Sequence, residues 1–233
     1  MSLIRSLAYA AIFYPGTVLW VLAGIVSLAL GRRATLSIVL GWVEFHHWLT
    51  KHVLRIETRV ERQLRSGPHL VAVKHQSMYE TLEMVRISHL PAIVMKRELA
   101  DIPLFGTLTR RYGVIPVERT AGSKALRQMV AAGKEAADAG RSVIIFPEGT
   151  RVRVGESPPL RPGFTGLYRA LDLPVVPIAL DSGRIWGRGF IHEPGIVTMR
   201  IGKTIPTGLN RTEIEARVHR AINDLELASE ARP

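Results

Sequence analysis

Residues 6–30, SLAYAAIFYPGTVLWVLAGIVSLAL, carry no charged side chain. Coiled as one helix, about 25 residues rising ~1.5 Å each reach roughly 37 Å, more than the ~30 Å of a bilayer's hydrocarbon core. Arg5 stands on one side and Arg32 and Arg33 on the other, and Tyr9, Tyr14 and Trp20 add the amphipathic rings that suit a membrane interface. Pro15-Gly16 is expected to kink this helix or to split off a shorter, half-inserted piece. The run is too long for the apolar part of a secretory signal, and no small-residue cleavage pattern follows it. The expectation is a retained membrane anchor.

Residues 34–54 have a different character. Ile38, Trp42, Phe45, Leu49 and Val53 recur at three- and four-residue spacing, while Ser37, Glu44 and Lys51 fall on another face. This is an amphipathic helix, expected to lie among lipid headgroups or to pack on the rest of the chain. His46 and His47 sit on it with no carboxylate or cysteine at ligand spacing, so an interfacial surface position is expected for them rather than a metal. A formal charge of +11 suits nucleic acid, an anionic membrane or a small anionic substrate. The anchor selects the lipid side, so no nucleic-acid partner is expected. A mean hydropathy of +0.13, apolar for a purely soluble chain, agrees. There are no cysteines, which excludes disulfides, thiolate zinc sites and a cysteine nucleophile.

From residue 55 short apolar runs alternate with helical stretches. Strands are expected at 54–59, 70–73, 92–95, 114–118, 142–146, 175–180 and 196–201, and helices at 78–88, 103–111, 123–139, 164–171 and 211–227. Gly140 suits the position just past a helix end, and Thr212 with Glu215 reads as a capping box. This alternation predicts an α/β domain with a mostly parallel sheet flanked by helices. The expected division is 1–54, membrane anchor and amphipathic helix, and 55–233, catalytic domain.

Two familiar motifs are missing. No G-x-S-x-G nucleophile turn is present, and Gly202-Lys203-Thr204 lacks the earlier glycine of a phosphate loop, Val197 standing in its place. His75 follows the strand LVAV, and Glu80 lies five residues on in KHQSMYE. On one continuous helix the two side chains would diverge by about 140°. A strand end, a short turn and a first helical turn would instead bring them together, with the carboxylate orienting the imidazole as a general base. Taken alone, such a pair is more often a satisfied surface contact than a catalytic one. Ser77 and Glu83 nearby are expected to be supporting or surface residues. GVIPVER, from Gly113 to Arg119, and FPEGTR, from Phe146 to Arg151, each run from a strand into an arginine. Strand ends are where α/β sheets place ligands, and a guanidinium fork suits a phosphate. Solvated surface ion pairs remain the other reading of each motif alone.

Taken in order, these segments resemble the glycerolipid acyltransferases, and specifically the 1-acylglycerol-3-phosphate acyltransferases. His75 through Glu80 matches the H-x-x-x-x-D block, with glutamate in place of aspartate. Gly113, Ile115, Val117 and Arg119 match G-x-I-x-[IV]-x-R, and Phe146 through Arg151 match F-P-E-G-T-R letter for letter. Val175-Val176-Pro177-Ile178 matches the fourth block, and Lys96 opens a K-x-E-L segment. Lys74 stands where asparagine is common. The resemblance covers about residues 55 to 205.

It implies the glycerol-phosphate acyltransferase fold and a general-base mechanism, with His75 and Glu80 catalytic. Arg119, Glu148, Gly149, Thr150, Arg151 and Lys96 would bind the acceptor's glycerol phosphate, with Arg161 a weaker candidate. The donor would be acyl-CoA or acyl-carrier protein and the acceptor a lysophospholipid at the bilayer, with no metal or other cofactor. Because such thioesters are cytosolic, the catalytic domain is expected to face the cytoplasm from a bacterial-type inner membrane; Arg32, Arg33, Lys51 and Arg55 agree with that. Two alternatives stay open: another lysolipid acceptor such as a lyso-aminolipid, or a non-catalytic membrane protein that binds anionic lipid.

Overall fold

The structure is a computed structural model describing residues 1–64, 67–118 and 122–230. Seven strands form one sheet in the order β1-β7-β6-β2-β5-β3-β4. They are β1 (Ile56–Glu61), β2 (Leu70–Val73), β3 (Ala92–Lys96), β4 (Ile115–Val117), β5 (Val143–Ile145), β6 (Val175–Leu180) and β7 (Gly195–Ile201). Among the described residues, β6–β7 is the one antiparallel pair of these strands. The central strands LVAV, VII and VVPIAL are buried at every position, as expected for parallel strands covered on both faces. Pro177 is tolerated in β6 because its missing N–H falls on the β7 side. There its carbonyl accepts from Gly202 N at 2.8 Å, one residue past the end of β7.

Side chains alternate between the two faces of the sheet. Val71, Val73, Ile144, Val176 and Ile178 face α1 (Ser2–Ser27), α2 (Arg32–Leu49) and α3 (Tyr79–Ile87). Leu70, Ala72, Val143, Ile145 and Val175 face α6 (Gly122–Asp138), α7 (Pro162–Leu171) and α8 (Arg211–Ile222). The short α4 (Arg97–Ala100) and α5 (Phe105–Tyr112) bridge β3 and β4, and α9 (Asp224–Glu230) ends the described chain. The expected fold class is what the chain adopts, and each strand lies within two residues of its expected bounds. Several local expectations change. The C-terminal helix breaks at Asn223 into α8 and α9. The cap of α8 is Asn210, whose side chain accepts from Glu213 N at 3.0 Å, rather than Thr212. The K-x-E-L segment forms the unexpected α4.

α1 runs without a break through Pro15, so the split does not occur. By length and composition Ser2–Leu30 suffices to cross a membrane. One face of α1 packs on α2: Trp42 Nε1 donates to Thr17 Oγ1 at 3.0 Å, and Gly41 makes room for Trp20, whose ring would lie 2.6 Å from an added Cβ. The outward face, with Ile4, Leu7, Val18, Leu19, Leu22 and Val26, is exposed apolar surface suited to lipid. α2 packs against α1, α3 and α5 rather than standing apart, and His46 is wholly buried among Tyr9, Phe13, Tyr79 and Trp186. That corrects its expected surface position. The reason is spacing: His46 lies on the same helical face as Val43 and Leu49.

Candidate active site

β2 delivers its last residues to the carboxyl edge of the sheet, and Lys74 N still donates to Ile178 O at 3.0 Å, holding the strand register one position further. The chain then turns sharply into α3. Glu80, in the first turn of α3, is fully buried and reaches back over that turn. Its carboxylate accepts from Gln76 N (2.7 Å), Ser77 N (2.6 Å), the Ser77 hydroxyl and Ser182 Oγ (2.8 Å), and meets His75 Nδ1 at 2.9 Å. The first turn of a helix favours such a charge, and the N–H groups that hold it belong to the turn just before α3. Burial alone would raise the Glu80 pKa. The hydrogen bond and charge of His75, with the Ser77 bonds, outweigh burial and bring the carboxyl below its ordinary value. An ionised carboxylate can only accept, so Nδ1 of His75 donates to Glu80, and in the neutral form of the ring the lone pair lies on Nε2. The strand–turn–helix geometry thus closes the pair.

The FPEGTR segment wraps the same histidine. Phe146 follows β5, and its ring stacks on His75 with centroids 4.1 Å apart. His75 N donates to Glu148 Oε2 at 2.9 Å, and His75 O accepts from Val152 N at 2.8 Å. Gly149, at φ +72°, closes the turn in a conformation that L side chains rarely adopt, and Arg161 lies against it. Glu148 is turned inward, 2% exposed, with its other oxygen 2.8 Å from Lys74 Nζ. Burial pushes its carboxyl above the ordinary value, against the pull of Lys74.

Thr150, Arg151 and Arg161 are exposed. The Arg151 carbonyl accepts from Arg188 Nη2 at 2.7 Å. Lys96 closes β3, half-exposed and 3.0 Å from Glu98, in register with Val117 at the end of β4. Arg119 lies outside the described residues. Among those described, no group of three or more His, Asp or Glu side chains is placed to hold a metal ion.

Several supporting residues carry no sequence signal of their role. Ser182, beyond β6, completes the Glu80 shell from 102 residues away. Glu83 is fully buried, not a surface residue. It accepts from Thr58 Oγ1 and Arg86 and lies 2.9 Å from His47 Nδ1, tying α2 to α3.

The profile of the family described as Acyltransferase matches residues 55–181. The chain belongs to the acyltransferase family. Among curated proteins, a 1-acyl-sn-glycerol-3-phosphate acyltransferase of Pseudomonas aeruginosa is 32% identical over 225 residues, covering 95% of this chain and 84% of that protein. The human 1-acyl-sn-glycerol-3-phosphate acyltransferase beta is 27% identical over 202 residues, 82% of this chain and 72% of the relative. Among solved structures, the 1-acyl-sn-glycerophosphate (LPA) acyltransferase PlsC from Thermotoga maritima superposes with a TM-score of 0.80 at 22% identity. The match covers 100% of this chain and 99% of that one, and it shows the fold. As an acyltransferase, the chain is an enzyme, which sets aside the non-catalytic lipid-binding alternative.

Proposed function

We propose that this acyltransferase moves a fatty acyl group from acyl-CoA or acyl-carrier protein to the free sn-2 hydroxyl of 1-acylglycerol-3-phosphate, giving phosphatidic acid. The observation that carries the reading is the His75–Glu80 pair, with Nδ1 engaged by a buried carboxylate and Nε2 left as the base. The acceptor hydroxyl gives its proton to Nε2 as its oxygen attacks the thioester carbonyl carbon. The tetrahedral adduct then expels the thiolate, which takes the proton back from the imidazolium. One C–O bond forms, one C–S bond breaks, and no acyl-enzyme is needed. Glu80 stabilises the transient imidazolium, as the general-base role requires.

Arg119, Lys96, Thr150, Arg151 and the Gly149 turn, with Arg161 beside it, are assigned to the acceptor's phosphate. The support is chemical: Lys96 at the end of β3 and Arg151 and Arg161 at the turn after β5 bring positive charge to the carboxyl edge of parallel strands, while Arg119 is assigned from its G-x-I-x-[IV]-x-R motif alone. Glu148 shapes that turn from within. The exposed apolar face of α1 supports a site held against the bilayer, at a bacterial-type inner membrane with the catalytic domain on the cytoplasmic side.

The test is an assay of the purified full chain with a panel of lysolipid acceptors crossed with both donor types, and with His75→Ala as control. Preferred turnover of 1-acylglycerol-3-phosphate supports the assignment. Preference for a lyso-aminolipid would move the acceptor and keep the chemistry.

A further inference from the structure

Lys74, next to the proposed base, has a wholly buried side chain. A buried ammonium is costly unless ion pairs and hydrogen bonds replace its water. Here Nζ lies 2.8 Å from Glu148 Oε1, 2.6 Å from Asn223 Oδ1, 2.7 Å from the Glu156 carbonyl and 3.2 Å from Glu226 Oε2. These four groups come from the FPEGTR turn, the loop after it and the junction of α8 with α9, the last about 150 residues away. Two of them, Glu148 and Glu226, do a second job beside His75. Glu148 uses its other oxygen on His75 N. Glu226 uses its other oxygen on Gln76 Nε2 at 2.8 Å and Gly155 N at 3.0 Å. Glu226 therefore grips both chain neighbours of His75, Lys74 and Gln76. Asn223 anchors its amide nitrogen to its own helix, on His219 O at 2.7 Å, and offers only its oxygen to the lysine.

We propose that Lys74 is a positioning residue for acyl transfer and that, through it, Asn223 and Glu226 belong to the catalytic machinery, holding the turn that presents His75. This rests on His75 being the base. The physical case is that the dyad sits on a strand-end turn, where backbone freedom would otherwise be large. The clamp fixes that turn through groups other than Glu80. The Glu80 carboxylate holds the turn at Gln76 N and Ser77 N, and the Lys74 clamp holds it at His75 N through Glu148 and at the Gln76 side chain through Glu226.

The experiment compares Glu226→Gln, Lys74→Met, the triple variant Lys74→Met/Glu148→Gln/Glu226→Gln and His75→Ala, all in the full chain. kcat, both KM values and the melting temperature are read on each preparation. Loosening the turn by a fraction of an ångström should cost kcat up to about 100-fold in Lys74→Met and roughly tenfold in Glu226→Gln, with both KM values within about twofold of wild type. Lys74→Met leaves two carboxylates buried without their cation and is expected to melt lower or fail to fold. The triple variant removes every charge of the clamp while keeping side-chain shape, so its melting temperature should recover while kcat stays low. A triple variant that regains both melting temperature and kcat overturns the proposal, because the ammonium would then only fill space. Wild-type kcat in Glu226→Gln, a near-isosteric change that does not threaten folding, overturns it as well. His75→Ala separates the two levels: turnover surviving there removes the base assignment. A dead His75→Ala beside fully active clamp variants removes the clamp alone.

Discussion

His46→Phe is expected to make the protein less sensitive to mild acid. The His46 ring is fully buried, neither of its nitrogens has a protein partner, and it is packed among Tyr9, Phe13, Tyr79 and Trp186. Burial, with smaller contributions from His47 and His192 and opposed by Glu83, lowers its pKa from 6.5 to about 4. The folded state therefore refuses a proton that the unfolded chain accepts below about pH 6.5. Stability from this group is complete above that value and is lost as pH falls toward about 4. At about pH 5 the loss is ~1.5 units at 1.36 kcal/mol each, about 2 kcal/mol. For a chain of this size that lowers the melting temperature by roughly 4–8 °C. Phenylalanine keeps the ring and removes the titration, and it also removes buried nitrogens that cost free energy when unpaired. The assay is thermal unfolding in one fixed detergent at about pH 7.5 and about pH 5, in a window chosen above the carboxylate range. His192, lowered in the same direction by burial, leaves a smaller residual slope in the variant. A wild-type melting temperature that does not change between the two pH values refutes the reasoning, as does an undiminished drop in His46→Phe.

Glu80→Gln should lower kcat more than Glu80→Asp, because the amide loses the negative charge and turns an NH2 group toward donors; steady-state kinetics on both decide it. Arg119→Ala should raise the acceptor KM about tenfold or more, the cost of one charge-assisted hydrogen bond, and leave the donor KM nearly unchanged. Lysine there should rescue only in part; an unchanged acceptor KM rejects the phosphate assignment. Intact protein should stay with membranes through a high-salt wash, since apolar burial is not screened. Deleting residues 1–54 should give aggregated or unfolded protein, because Val43, Leu49 and Leu54 cover one face of the sheet; a soluble, cooperatively melting 55–233 fragment would contradict this.

The strands were legible because parallel β-strands buried on both faces read as short unbroken apolar runs, as LVAV and VVPIAL do. The dyad was legible because a strand end followed by a helix start makes a spacing of five workable. What stayed hidden depends on partners distant in sequence. Nothing near Glu80 announces Ser182, and nothing near Lys74 announces Asn223 and Glu226, about 150 residues away. The unusual lysine beside His75 was visible, but its meaning required the fold. The burial of His46 was not legible, because an amphipathic helix ending in His-His looks interfacial until its inner face is known to meet α1 and α3. Thr212 lost the cap to Asn210 because the helix starts two residues earlier than a Thr212 cap implies, within the usual uncertainty of helix ends.

The central claim is that His75 is the general base, and single-turnover acyl transfer by His75→Ala tests it most directly. With saturating 1-acylglycerol-3-phosphate and acyl-CoA, the variant should melt like wild type. It should transfer acyl groups roughly 100- to 10,000-fold more slowly, the usual contribution of a positioned base. Turnover within a few-fold of wild type in a folded His75→Ala protein would contradict the account.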